Sequence, residues 1–300
     1  MSTPHAEAAF VTTEESWLAG RLDGVTATDA PDVLGLRGSR YELWARKCRL
    51  LEAEDLSDRE WIEWGRRLQP VVAEAYAERT GREVTPWPAY TLARSDAVPW
   101  MICTPDAEQR DGQLGPGALE IKTAGQFMAG EWRDGPPLAY QVQLQHQLAV
   151  LGAQWGTLCC LIGGQKLVWF DQLANQRFIE ALVHAEAEFW GRVQRRDPPP
   201  VDGTAATREA LHRLHPADSG AEVLLPAAAA EWDAEIAECK AEIKALEERQ
   251  RAAENQIKAA MGDASYGHLP GGGRWKWCVE PRKAHQVEAS NPRILRRLSK

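Results

Sequence analysis

Apolar positions recur at spacings of three and four through "DLSDREWIEWGRRLQPVVAEAYAERTG", at Trp61, Trp64, Leu68, Val72 and Ala75, with Gly81 just beyond. That spacing lays one apolar stripe along a helix, and the glycine marks its stop. Pro70 inside the stripe predicts a kink or two abutting helices. Upstream, Thr28 or Asp29 is a candidate helix N-cap. Downstream, residues 89–94, 100–105 and 117–123 read as short strands. "LAYQVQLQHQLAVLG" returns to helix and ends at Gly152. "WGTLCCLIGG" and "QKLVWFDQ" read as a hairpin turned at Gly163-Gly164. "LANQRFIEALVHAEAEFWGRVQRR" is a long helix stopped by "DPPP" at 197–200. This order predicts one mixed α/β core, a central mixed sheet flanked by helices.

The remaining pattern sets the expected domain plan. Residues 1–15 read as a flexible tail, 16–200 as the core, 201–225 as a linker, and 226–300 as an extension. From Pro226 to Met261 runs a helical segment without Gly or Pro. Its positions Trp232, Ile236, Cys239, Ile243, Leu246, Gln250, Ala253, Ile257 and Ala260 alternate spacings of four and three. This is a heptad seam, suited to packing on its own domain or to meeting a second helix. "GRWKWCVEPRK" then alternates basic and aromatic residues and reads as a strand.

Composition narrows the class. The chain has 300 residues, 44% hydrophobic and 26% charged, as in globular proteins. No apolar run reaches the roughly 20 residues of a membrane span, and the first residues lack the basic start and apolar core of a secretory signal. The 6 cysteines include no CxxC pair, which argues against a zinc knuckle or a disulfide scaffold and suits a reduced, cytoplasmic setting. Net charge is −8, but residues 271–300 alone carry an excess of positive charge. A second basic stretch holds Arg37, Arg40, Arg46, Lys47 and Arg49 against Glu42. Local basic patches on an acidic protein can guide a polyanion to one place. Arg37, Arg40, Arg46, Lys47, Arg274 and Lys276 are therefore candidate DNA contacts, and solvated faces are the alternative.

The chemistry centres on "GALEIKT", residues 117–123. Residues i and i+2 of a strand share a face, so Glu120 and Lys122 point one way while Leu119 and Ile121 point the other. Asp106 lies at the end of the preceding strand, and a hairpin through "EQRDGQLGPG" would return it to Glu120. Two carboxylates at adjoining strand ends suit a hard cation such as Mg²⁺ or Mn²⁺. Lys122 beside them can orient water or balance phosphate charge. This D…ExK pattern is that of metal-dependent nucleases, and a surface ion pair on a strand is the plainer alternative.

Over residues 17–196 the chain resembles the lambda-exonuclease/YqaJ family of phage recombination exonucleases, which have the PD-(D/E)xK fold. "CTPDA" resembles its TPDG metal motif, "ALEIKT" its G-x-E-x-K strand, and "AYQVQLQHQLAVLG" its Gln-rich helix. The resemblance implies one or two Mg²⁺ (or Mn²⁺) ions held by Asp106, Glu120, the Ile121 backbone and Gln69. It implies Lys122, Gln143 and Gln145 as further catalytic groups, and Arg21 and Thr28 as the site for a DNA 5′ phosphate. Gln69 departs from the family, which carries a glutamate there, and this puts a second ion in doubt. Ala107 replaces the usual glycine. The implied function is 5′→3′ exonucleolysis of double-stranded DNA ends, exposing 3′ single strands for a single-strand annealing protein of the RecT/Bet kind. A homo-oligomer such as a trimer, and phage or prophage origin in a bacterial cytoplasm, come with it. The alternatives are an endonuclease of the same fold, or an end-binding scaffold with weak or lost cleavage.

Overall fold

The computed structural model describes residues 8–9, 13–52, 59–281 and 297. They fall into two compact units, Met1–Pro216 and Ala217–Lys300. The first unit opens with β1 (Ala8–Ala9), α1 (Glu14–Arg21), β2 (Val25–Thr26), α2 (Ala30–Val33) and α3 (Arg40–Lys47). Then come α4 (Glu60–Thr80), β3 (Glu83–Pro86), β4 (Leu92–Arg94), β5 (Met101–Cys103), β6 (Ala107–Asp111) and β7 (Gly115–Ala124). It closes with α5 (Leu138–Leu151), β8 (Trp155–Ile162), β9 (Lys166–Leu173), α6 (Gln176–Arg195) and α7 (Ala205–Leu214).

A five-stranded sheet in the order β3-β6-β7-β8-β9 forms the centre. Its β7–β8 pair is parallel and its other pairs are antiparallel. The fold is thus mixed α/β, with helices on both faces of a mixed sheet. A smaller sheet runs β1-β4-β5-β2.

Strand parity on β7 decides which helix meets which side chain. Leu119 and Ile121 join Val72, Tyr76 and Cys159 in the layer under α4. Ala118 joins Leu144, Leu148 and Leu158 in the layer under α5. Glu120 and Lys122 share parity with Ala118, so they too lie on the α5 side. Each fully buried Leu or Ile in these layers contributes roughly 1.5–3 kcal/mol, which fixes β7 between the two helices. Gly117 is required where β7 passes Trp155, because a Cβ there would lie 2.6 Å from the indole ring.

Several expectations change. α4 runs through Pro70 as one helix, and Gly81 ends it in the left-handed region. Only its second half is covered: Trp61 and Trp64 are 64% and 55% exposed, whereas Val72 and Tyr76 are buried. The apolar stripe continues past the sheet it packs on. Asp29 caps no helix with its side chain; it is buried and bonded to Thr26. β3 and β6 are additional strands, within stretches expected to be loop. Residues 205–214, expected within a linker, form α7, which buries Thr207 and Ala210 in the first unit.

The second unit holds α8 (Ala229–Met261) and an antiparallel hairpin of β10 (Tyr266–His268) and β11 (Arg274–Lys276). None of the residues of α8 is buried. Much of the basic C-terminal stretch, residues 282–296, lies outside the described residues, as do residues 1–7 of the expected tail. Among the described residues no helix is long and apolar enough to cross a membrane.

Candidate active site

The β6–β7 hairpin builds the site. Ala107 pairs with Leu119, so continuing the register sets Asp106 opposite Glu120. The Ile121 backbone N–H donates to Asp106 Oδ2 at 2.6 Å, and Gln69 Nε2 of α4 donates to Oδ1 at 3.0 Å. Glu120 is buried on the α5 side of the sheet, where α5 supplies its partners. Lys122 Nζ donates to Glu120 Oε1 at 2.5 Å and to Gln143 Oε1 at 3.2 Å. Gln143 Nε2 donates to the same Glu120 Oε1 at 2.5 Å. The amide of Gln143 therefore clamps acid and base together, using one end for each. Lys122 also lies over the Tyr140 ring, 5.0 Å from its centroid.

Glu120 Oε2 is held by Gln147, whose Nε2 donates at 2.6 Å. Gln147 was not singled out by the sequence, and Gln145, which was, points elsewhere. Gln145 donates to the Leu173 carbonyl at 2.9 Å and accepts from the Asn175 N–H at 2.8 Å, tying α5 to the end of β9. The reason is helical geometry: residues two apart lie on different faces, whereas Gln143 and Gln147 are one turn apart on the same face. That i,i+4 spacing was the available signal. Behind them, His146 is fully buried, with Nδ1 against Glu186 at 2.8 Å and Nε2 against the Ile102 carbonyl at 3.1 Å. Both nitrogens face acceptors, and although burial opposes its charge, Glu186 raises the His146 pKa. This pair anchors α5 to α6 and β5.

Two acids at the centre face a single cation, Lys122. Burial, followed by the neighbouring Glu120 charge, pushes Asp106 up to about 8, against the opposing pull of Lys122 and the Ile121 N–H. Burial also works against charge on Lys122, but Glu120 and Asp106 outweigh it and raise its pKa. Lys122 is thus an ammonium in this geometry. The anionic groups here are hard oxygens, the Asp106 and Glu120 carboxylates, and Gln69 stands beside them with its amide N–H on Asp106. Among the described residues there is no cluster of three His, Cys, Asp or Glu. Such a sparse anionic set fits a cation that keeps several waters, as Mg²⁺ does.

Arg21 and Thr28 also come together, with Arg21 Nη2 donating to Thr28 Oγ1 at 2.9 Å. Trp17 stacks on Arg21 at 4.7 Å and donates from its indole to Thr104, two residues before Asp106, at 3.1 Å. Burial lowers the Arg21 pKa, partly offset by Asp29. The basic stretch is corrected. Lys47 is buried, 2.5 Å from Asp29, and is no surface contact. Arg37 pairs with Asp32 at 3.2 Å, Arg40 with Glu188 at 3.1 Å and Arg46 with Glu42 at 3.2 Å. The positive run in sequence is therefore largely neutralised in space. In the second unit, Lys276 pairs with Glu280 at 2.8 Å and Arg274 lies over Tyr266 at 4.9 Å.

A mixed sheet flanked by helices thus presents Asp106, Glu120 and Lys122 on one hairpin. The model of the YqaJ-like viral recombinase domain matches residues 16–154. The uncharacterized protein YqaJ of Bacillus subtilis (strain 168) is 30% identical over 299 residues, spanning 96% of this chain and 91% of that protein. The chain belongs to the YqaJ-like viral recombinase family. The crystal structure of an alkaline exonuclease (LHK-Exo) from Laribacter hongkongensis superposes with a TM-score of 0.52 at 23% identity, over 61% of this chain and 94% of that one. Its complex with dAMP superposes with a TM-score of 0.51 at 22% identity, over the same shares. These two likenesses carry the fold.

Proposed function

We propose that the chain is a Mg²⁺-dependent 5′→3′ exonuclease of double-stranded DNA ends, serving phage-type recombination. The observation that carries this reading is the convergence of Asp106 and Glu120 beside a clamped Lys122. Asp106, Glu120, the Ile121 carbonyl and Gln69 would hold the ion, with Mn²⁺ as a substitute. When bound, the ion supplies Lewis-acid polarisation of the phosphoryl oxygen and a water of lowered pKa. Gln143 and Gln147 fix both oxygens of Glu120, so its carboxylate is preorganised. Lys122 keeps its proton at Nζ and acts by charge and orientation on the attacked phosphate or the attacking water. Arg21, backed by Trp17 and bonded to Thr28, is the group for a terminal 5′ phosphate, which argues for 5′→3′ polarity.

The site also bears on ion number. Gln69 already touches Asp106, so Gln69→Glu would bring a third carboxylate to the cluster. A hard divalent cation gains more from an anionic oxygen than from an amide. The uncharged Gln69 favours, as a second reading, an end-binding protein with weak cleavage. A single-strand annealing protein as partner, a homo-oligomeric assembly and action in the bacterial cytoplasm belong to the same proposal.

The test is nucleotide release from linear duplex, with 5′-phosphate or 5′-hydroxyl ends, across a Mg²⁺ titration. The reading expects Mg²⁺-dependent release that prefers phosphorylated ends and a lower half-saturating Mg²⁺ for Gln69→Glu. Binding of ends without release supports the second reading. Equal rates on the two ends remove the role of Arg21 and Thr28.

A further inference from the structure

α8 is a helix of 33 residues without a single buried side chain. At 1.5 Å per residue it is about 50 Å long, and helices gain most of their stability in proteins by packing an apolar face. Its seam is half-bare: Trp232, Ile236, Ile243 and Leu246 are 54%, 46%, 55% and 58% exposed. The hairpin of the same unit reaches only its C-terminal end, where Met261 meets Gly267. The bare part is therefore the stretch from Trp232 to about Ala253.

We propose that this seam packs antiparallel against α8 of a second copy of the chain. In heptad terms Ile236, Ile243 and Gln250 occupy a, and Trp232, Cys239, Leu246 and Ala253 occupy d. Flanking charges select partner and orientation. When Ile243 faces Leu246 of the second copy, Lys240 meets Glu247 and Glu242 meets Arg249. The two-fold axis repeats each contact, giving four opposite-charge pairs at the centre. Shifting this register by one heptad either way sets like charges against each other there. A parallel, in-register pair places Glu242 against Glu247 at its centre.

The charges on the helix itself agree. Among the described residues Lys240, Glu242, Glu247 and Arg249 make no ion pair within the chain. The one unfavourable contact of the antiparallel register, Asp233 against Glu254, falls at the ends. Both of those acids are already paired in their own chain, Asp233 with Arg297 at 2.8 Å and Glu254 with Lys258 at 3.5 Å. Size also fits, because Ile236 faces Ala253 rather than another isoleucine, so large meets small. The contact is self-complementary under a two-fold, as a dimer interface requires.

The test is disulfide trapping in the full chain. Cys239 and Cys278 are its exposed cysteines among the described residues, so Cys278→Ser leaves Cys239 as the one reporter. The antiparallel register sets Cys239 opposite Gln250 of the second copy. Adding Gln250→Cys should therefore give a diamide-induced covalent dimer, with no dimer when Gln250 is kept. Positions 239 and 250 are too far apart along one helix to bond within a chain. In parallel, Ile243→Asp with Leu246→Asp, both on an exposed face, should halve the molar mass read by light scattering. Dimer formation through Cys239 with Gln250 kept would mean a parallel pair and overturn the proposal. So would an absence of trapping in both proteins, or a mass that the double substitution leaves unchanged.

Discussion

Two clusters on the central sheet each set one basic side chain against two acids, and they resolve in opposite ways. At one, Arg82 donates to Asp111 at 3.0 Å and to Asp171 at 2.6 Å and 2.8 Å, and packs 4.7 Å over Trp155. Both acids keep contact with water. Backbone N–H groups of Gln113 and Leu114, with Arg82, lower Asp111. Asp171 is lowered in spite of partial burial, by Arg82 and Thr157. At the other, Lys122 serves Glu120 alone among the acids, and burial leaves Asp106 raised to about 8. The planar guanidinium spreads fixed donors over both of its acids, whereas Lys122 spends its hydrogen bonds on Glu120 and Gln143. One cluster is a completed clamp. The other leaves one carboxyl, Asp106, without a cation of its own, so burial keeps a proton on it that a divalent cation could replace, and that separates a site from a brace.

Removing either carboxyl of this pair should give the largest effect. Asp106→Ala and Glu120→Ala are expected to cut cleavage roughly 10²–10³-fold or more in a kinetic assay, with circular dichroism unchanged. Asp106→Asn also probes the comparison in stability. A carboxyl held at about 8 in the fold and near 3.9 when unfolded binds its proton better when folded. Stability of the metal-free protein should then fall as pH rises from about 4 to about 8. At pH 8 in chelator, Asp106→Asn should melt higher than the parent, whereas Asp171→Asn should melt lower. If both melt lower, the two clusters do not differ as described.

The brace answers to a different readout. Arg82→Ala should cost about 2 kcal/mol in denaturant unfolding while the folded fraction keeps its kcat. Arg82→Lys should recover little, because a point charge cannot serve both acids. A smaller effect on catalysis is expected from Gln147→Leu, which frees one oxygen of Glu120. A hydrogen bond to a charged group contributes about 1.5–3 kcal/mol, so kcat should fall about tenfold or more. Gln145→Leu should lower stability by about 1–2 kcal/mol and leave kcat intact. Equal kinetic effects of the two substitutions would contradict their opposite placement on α5.

How much of this was legible in the sequence follows the range of the forces involved. The α4 stripe, the stops at Gly81 and Gly152, the Gly163-Gly164 hairpin and the shared face of Glu120 and Lys122 are set by neighbours in the chain, and each can be read there. The pairing of Asp106 with Glu120 needed one hairpin and was readable too. The charge state of the basic stretch was not, because Glu188 on α6 neutralises Arg40 through tertiary packing and Asp32, just outside the stretch, takes Arg37. Lys47 gave no sign of burial, since its acid, Asp29, comes from the start of a different helix, α2. Gln145 and Gln147 could have been sorted by counting 3.6 residues per turn from Gln143; the run of alternating glutamines hid a helical face behind a strand-like rhythm.

The claim that Asp106 and Glu120 form a cation site whose Asp106 carries a proton until an ion enters is tested most directly by calorimetric titration of Mn²⁺ or Mg²⁺ in buffers of different ionisation heat. An ion entering the site must displace the proton on Asp106, so about one proton per ion should be released at pH 6.5 and almost none at pH 9. Asp106→Asn should bind more weakly and release none. Tight binding at pH 6.5 without proton release, or the same release from Asp106→Asn, would contradict the account.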